Sequence, residues 1–196
     1  MDQAGRVAFA TGASRGIGRA TAKALAADGY RVILHYGANR DLAENAALEI
    51  RDAGGAADIV GADLADPDAA KRLAGEVKDL CGGALHALVL NAGIMAGSKI
   101  KDCPEALLDE LYTVNLRSPF LLFQHLAPVL VDHASVVTVS SLSAHRVLGA
   151  VSGYSAVKAG LEALVGRGVK EFGSRWIRVG SRHACWKTLC RCSPGR

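Results

Sequence analysis

Tyr154 and Lys158 stand four residues apart in Tyr154-Ser155-Ala156-Val157-Lys158, a spacing that puts both on one face of a helix. A free phenol has a pKa of about 10 and is almost fully protonated at neutral pH. An ammonium close by stabilises the phenolate, so the tyrosine becomes a usable proton donor and acceptor nearer neutrality. On an arbitrary helix such a pair is an exposed couple of no consequence, and its surroundings decide its meaning. Thirteen residues upstream, Ser141 closes the run Val136-Val137-Thr138-Val139-Ser140-Ser141. That is the C-terminal end of a β-branched strand, where open α/β sheets place their ligands.

A second group of residues suits a phosphate rather than a proton. Thr11-Gly12-Ala13-Ser14-Arg15-Gly16-Ile17-Gly18 follows an apolar run and leads straight into an alanine-rich helical stretch. Glycines at 12, 16 and 18 permit a tight turn and close approach of backbone to a pyrophosphate. The helix start behind them offers unpaired N–H groups and the positive end of a dipole. The next strand ends Leu34-His35-Tyr36-Gly37, with no acid to hold a ribose 2′-hydroxyl. Arg15 and Arg40 can instead meet a 2′-phosphate, although both also suit a solvated surface. The missing acid favours NADP(H) over NAD(H).

The elements that must carry these groups alternate. Short apolar runs at residues 6–10, 31–36, 57–61, 85–90, 135–140 and 176–179 predict strands. Stretches of helical period at 16–27, 41–53, 68–80, 104–130 (as two pieces) and 152–172 predict helices. Strands alternating with helices through short links imply a parallel sheet covered on both faces. Continuous apolar strands such as Ala87-Leu88-Val89-Leu90 agree, because a strand buried on both sides needs no polar alternation. The expected fold class is one α/β domain, a doubly wound parallel sheet of Rossmann type.

Bulk properties narrow the function classes. The chain has 196 residues, half of them hydrophobic and 21% charged, which suits one folded domain rather than disorder. No apolar run reaches the roughly 20 residues needed to span a bilayer. No basic segment followed by an apolar stretch opens the chain, so a cytoplasmic location is expected. The net charge of +4 is carried entirely by Arg182, Lys187, Arg191 and Arg196. A nucleic-acid partner therefore rests on the tail alone and is not expected. Cys185, Cys190 and Cys192, even with His183, lack the paired spacing of a zinc site, so no metal is expected.

Taken singly, Asn91-Ala92-Gly93 and Asn115 in Thr113-Val114-Asn115-Leu116 are loop or cap residues. Together with the glycine turn, Ser141 and the Tyr154/Lys158 pair, their order and separations resemble the short-chain dehydrogenase/reductase family. The chain before Val179 is similar to the family's bacterial 3-oxoacyl-acyl-carrier-protein reductases. The resemblance implies a catalytic set of Asn115, Ser141, Tyr154 and Lys158. Ser141 would donate to the substrate carbonyl oxygen, and Tyr154 would give that oxygen its proton. Lys158 would lower the tyrosine pKa and hold the nicotinamide ribose. Asn115 would hold a water linking Lys158 to solvent. Cofactor contacts implied are Gly12, Ser14, Arg15, Gly16, Ile17, Gly18, Asp63, Leu64, Asn91, Ala92 and Gly93, with Tyr154 and Lys158. Asp63 matches the family residue that contacts the adenine. The implied substrate is a ketone or a 3-oxoacyl thioester, and a tetramer or dimer is implied. His145 and Leu148 follow Ser141 and could line its pocket, whereas His35, His86, His125 and His133 read as structural or surface residues.

The family pattern stops after Ile177-Arg178-Val179. Residues 1–179 are expected to form the NAD(P)-binding domain, and 180–196 a basic, unrelated tail without strand pattern, encoded in an altered reading frame. The last strand and helix of the fold would then be missing. The competing expectation is a remnant that binds nucleotide cofactor and does no chemistry.

Overall fold

A computed structural model describes residues 5–147 and 149–184. Six parallel strands are β1 Val7–Ala10, β2 Arg31–Tyr36, β3 Ala56–Gly61, β4 Leu85–Leu90, β5 Leu130–Ser141 and β6 Arg178–Ala184. They form one sheet in the order β3-β2-β1-β4-β5-β6. The helices between them are α1 Gly16–Ala27, α2 Arg40–Asp52, α3 Ala69–Leu80, α4 Glu105–Tyr112, α5 Ser118–Leu126 and α6 Ser152–Phe172. Strand order reverses between β1 and β4, so the crevice at the C-terminal ends of these two strands is the natural ligand site.

Side-chain alternation divides each central strand between two cores. Phe9, Ile33, Leu88, Leu90 and Val136 pack with Leu73 and Val77 of α3 and Leu122, Phe123 and Leu126 of α5. Ala10, Val32, Leu34, Ala57 and Val89 pack on the opposite face with Ala22 of α1 and Ala46, Ala47 and Ile50 of α2. Both faces being apolar is why β2 and β4 read as unbroken hydrophobic runs. Farther along, Val137 and Val139 of β5 are only half-buried. With Ile17, Thr21 and Leu25 of α1 they line an open groove of about 380 Å³.

Two strands differ from their predicted extent. β5 begins at Leu130, paired with Leu85, and its register slips before Ala87 meets Ser135. His133, at φ 65°, absorbs the extra residues, and its ring stacks on Trp176. Leu126–Leu130 is apolar enough to extend a helix, but Pro128 has no N–H to continue one. β6 continues through Gly180 and Ser181 to Ala184, paired in register with Val137 through Ser141. No strand pattern is visible there because the strand is held by backbone pairing to β5 rather than by apolar side chains. Residues 185–196, including Cys185, Cys190 and Cys192, lie outside the described residues. Among the described residues no helix is long and apolar enough to cross a membrane.

Candidate active site

The glycine turn leaves β1 at the reversal of strand order and is braced from three sides. Thr11 Oγ1 accepts the N–H groups of Asn91 and Ala92, both at 2.9 Å, and donates to Val89 O at 3.3 Å. Asn91 Nδ2 donates to Thr11 O at 2.9 Å and to Gly12 O at 3.1 Å. Asn91 thus spends its amide on the turn. From the third side comes His35, which the sequence left as a structural or surface residue. Its Nδ1 accepts the Gly12 N–H at 3.1 Å, and its Nε2 lies 2.9 Å from Ala62 O. This arrangement assigns the proton to Nε2 and makes the ring neutral. Burial lowers the His35 pKa and outweighs the raising effect of the Ala62 bond.

Helix α1 starts on this turn with no side-chain cap and no acid in its first turn. Its first N–H groups, which a helix cannot satisfy internally, therefore lack an intramolecular anion. Gly16, at φ +57°, has nothing within 4 Å of where a Cβ would stand. Gly18 is the opposite case, since a Cβ there would lie 2.2 Å from Gly12 O and 2.5 Å from Asn91 Nδ2. The turn is closed beneath and open above, which fits a pyrophosphate lying on it. Ser14 is buried at the base and Arg15 exposed at the N-cap. Asp63, at the end of β3, is exposed and accepts the Ala65 N–H at 3.0 Å. Leu64 sends its side chain into the core, and its carbonyl accepts the Ser118 hydroxyl at 2.9 Å. Its N–H makes no hydrogen bond among the described residues.

Helices α4 and α5 join through a π-type turn, Thr113–Arg117, with Asn115 at its centre. Sequence accounts for the irregularity. Pro119 has no N–H to offer the Asn115 carbonyl four residues back, and its ring crowds that oxygen. The Asn115 side chain is fully buried and donates through Nδ2 to Ile94 O and Leu111 O, both at 3.0 Å. Its Oδ1 has no hydrogen-bond partner among the described residues. Gly93 makes room for it, because a Cβ there would stand 2.6 Å from Asn115 Oδ1 and 3.4 Å from Lys158 Nζ. A buried acceptor without a partner next to an ammonium is a place for a water.

Ser141, at the end of β5, accepts from Ser143 N at 3.2 Å and Ser143 Oγ at 3.0 Å. The nearby Ser141 side chain favours the Tyr154 phenolate. Burial of the ring is the larger effect, so the Tyr154 pKa lies above its usual value. Lys158 Nζ donates to Val139 O at 3.0 Å and sits 5.8 Å from the centroid of the tyrosine ring. Lys158 is 4% exposed, and desolvation pulls its pKa down to about 8. Ser141, Tyr154 and Lys158 thus converge beside Gly93 and Asn115. His145 does not face this cluster alone, as its Nε2 pairs with Glu162 of α6. Leu148 lies outside the described residues.

The short chain dehydrogenase family matches residues 6–184. The chain belongs to that family. Among relatives of this short-chain dehydrogenase is the 1-cyclohexenylcarbonyl-CoA reductase of Streptomyces collinus, 36% identical over 175 residues. Another is the 3-oxoacyl-acyl-carrier-protein reductase of Staphylococcus aureus, 34% identical over 177 residues. The matches take in 89% and 88% of the present chain. The chain spans 62% of the first relative's length and 70% of the second's. A solved short-chain dehydrogenase from Burkholderia cenocepacia, in complex with NADP, superposes with a TM-score of 0.87 at 35% identity. That superposition covers 92% of this short-chain dehydrogenase and 74% of the other chain.

Proposed function

We propose that the protein is an NADPH-dependent carbonyl reductase that converts a ketone or 3-oxoacyl thioester to a secondary alcohol. The observation that carries this reading is the meeting of Ser141, Tyr154 and Lys158 at the C-terminal edge of the sheet. The uncapped, glycine-lined helix start lies at the neighbouring strand reversal. Bound NADPH supplies the hydride. The turn from Gly12 to Gly18 would hold its pyrophosphate, Asp63 would contact its adenine and Lys158 its nicotinamide ribose. Ser141 donates its proton to the substrate carbonyl oxygen and so stabilises the charge that grows there. Tyr154 gives that oxygen its proton. Once released from Val139 O, Lys158 draws nearer the phenol and offsets the desolvation that raises its pKa. Asn115 Oδ1 anchors the water through which Lys158 recovers a proton from solvent.

By their names one relative acts on an acyl-CoA and the other on a 3-oxoacyl group of an acyl-carrier protein, which supports testing acyl thioesters first. The decisive assay is carbonyl-dependent oxidation of NADPH, with cofactor binding measured separately. Steady turnover that Tyr154→Phe abolishes supports the reductase. Tight NADPH binding with no turnover on any 3-oxoacyl thioester or simple ketone would make the chain a cofactor-binding protein instead.

The same chain is proposed to assemble with its own copies. Outer faces of α4, α5 and α6 enclose an open, mostly apolar groove of about 720 Å³ lined in part by Tyr112, Leu116, Phe120 and Leu164. Tyr112 and Phe120 are nearly half exposed there, and apolar patches of this kind mark association surfaces. Phe120→Asp should then reduce the mass measured in solution to that of a monomer.

A further inference from the structure

Glu162 lies on α6 one turn after Lys158 and two turns after Tyr154, on the same helical face. Its carboxylate accepts the Ser140 hydroxyl at 2.6 Å and pairs with His145 Nε2. The Glu162 side chain is 16% exposed, and these two partners help to solvate its charge. Ser140 immediately precedes Ser141, and His145 ends the short 3-10 turn Leu142–Ala144 that follows. One carboxylate therefore grips both ends of a six-residue segment that has Ser141 inside it.

The interior of that segment is bonded to itself. Ser143 bonds to Ser141 through both its N–H and its hydroxyl, and the N–H groups of His145 and Arg146 both reach Leu142 O. The segment's first two residues are held in β5 by pairing to β6, and Lys158 ties the preceding Val139 to α6. The Glu162 contacts tie both ends of the segment to that helix. We propose that Glu162 is the positioning residue that holds Ser141 in place beside Tyr154, with Ser140 and His145 as its anchors. This inference rests on the functional reading of Ser141 and Tyr154 above. Its consequence is kinetic, because proton transfer needs heavy atoms about 2.6–3.2 Å apart. A displacement of about 1 Å costs on the order of a hundred-fold in rate.

The test reads Tyr154 directly. With tyrosines labelled at Cζ, the chain's four tyrosines give four carbon resonances, and Tyr154→Phe identifies one of them. At neutral pH that resonance reports the surroundings of the phenol hydroxyl, Ser141 among them. Glu162→Ala is expected to move it in the same direction as Ser141→Ala. Glu162→Gln, which still accepts from Ser140, should leave it close to wild type. In the carbonyl assay Glu162→Ala should lower kcat at least about ten-fold while the Kd for NADPH stays unchanged. The paired variant Ser140→Ala/His145→Ala removes both anchors and serves if Glu162→Ala does not fold. An unmoved Tyr154 resonance in a folded Glu162→Ala or anchor variant would overturn the proposal, as would a resonance insensitive to Ser141→Ala. Turnover that survives Tyr154→Phe would sink the functional reading instead, and the resonance shift would still show whether Glu162 positions Ser141.

Discussion

The imidazole of His35 accepts the backbone N–H of Gly12 at 3.1 Å while its other nitrogen lies 2.9 Å from Ala62 O. One buried side chain thereby joins the turn after β1 to the end of β3. Its lowered pKa means that the unfolded chain binds the proton more readily than the folded one. The stability it contributes is full above the unfolded pKa of about 6.5 and is lost as pH falls through the lowered value. Protonation of Nδ1 also removes the acceptor for Gly12. Urea unfolding across this acid range should show a stability difference between wild type and His35→Ala that shrinks as pH falls. NADPH affinity should weaken over the same range in wild type only.

Gly18→Ala should be among the most damaging single-methyl changes in the chain. The added carbon would meet Gly12 O at 2.2 Å and Asn91 Nδ2 at 2.5 Å, and the turn has braces on three sides that resist moving aside. A loss of about 3 kcal/mol in urea denaturation is expected, together with loss of NADPH binding by fluorescence titration. A folded variant with unchanged affinity would mean that the turn is softer than its hydrogen bonds suggest.

Lys158 is held at a cost to the fold. Between its folded pKa of about 8 and the unfolded value of about 10.5, only the unfolded state carries the proton, so stability rises with pH across that window. At pH 7 both states are charged and the penalty stands in full, on the order of 3 kcal/mol. Lys158→Met is therefore expected to be more stable than wild type near neutrality, less the Val139 bond it forfeits, and to have no reductase activity. The gain should vanish above the unfolded pKa. Chemical denaturation at several pH values checks both signs.

Cofactor preference should follow Arg15 and Arg40. Arg15 stands exposed at the N-cap of α1, and Arg40 opens α2 and pairs with Glu44 at 3.4 Å. Removing either guanidinium should raise the Kd for NADPH about ten-fold and leave that for NADH unchanged. Equal losses for both cofactors would place these arginines on the shared part of the molecule and remove the basis for an NADP(H) preference.

What was legible beforehand was local or periodic. Tyr154 and Lys158 share a helix face because four residues make about one turn. The glycine turn was visible because an apolar strand, three glycines and a helix follow one another without interruption. Twofold and 3.6-fold periods gave the layered sheet, since each strand and helix must bury a particular face. Positions 180–184 and the start of β5 escaped because a strand held by backbone pairing needs no apolar signature, and a bulge at His133 leaves none.

The roles of individual polar groups were of another kind. His35 meets Gly12 across 23 residues and Ser140 meets Glu162 across 22, and no spacing rule connects them. A signal existed in each case, a histidine at the end of a buried strand and an acid one turn beyond Lys158, but both types are common on surfaces. The amino-acid sequence by itself determined the topology and the identity of the residues at the C-terminal edge of the sheet, because hydrophobic period and chain reversal are properties of short stretches. Only the tertiary structure decided which groups are desolvated and where each proton sits. Lys158 turns to Val139 and Tyr154 is left with a raised pKa, because charge and hydrogen bonding depend on neighbours in space that the folded chain brings together.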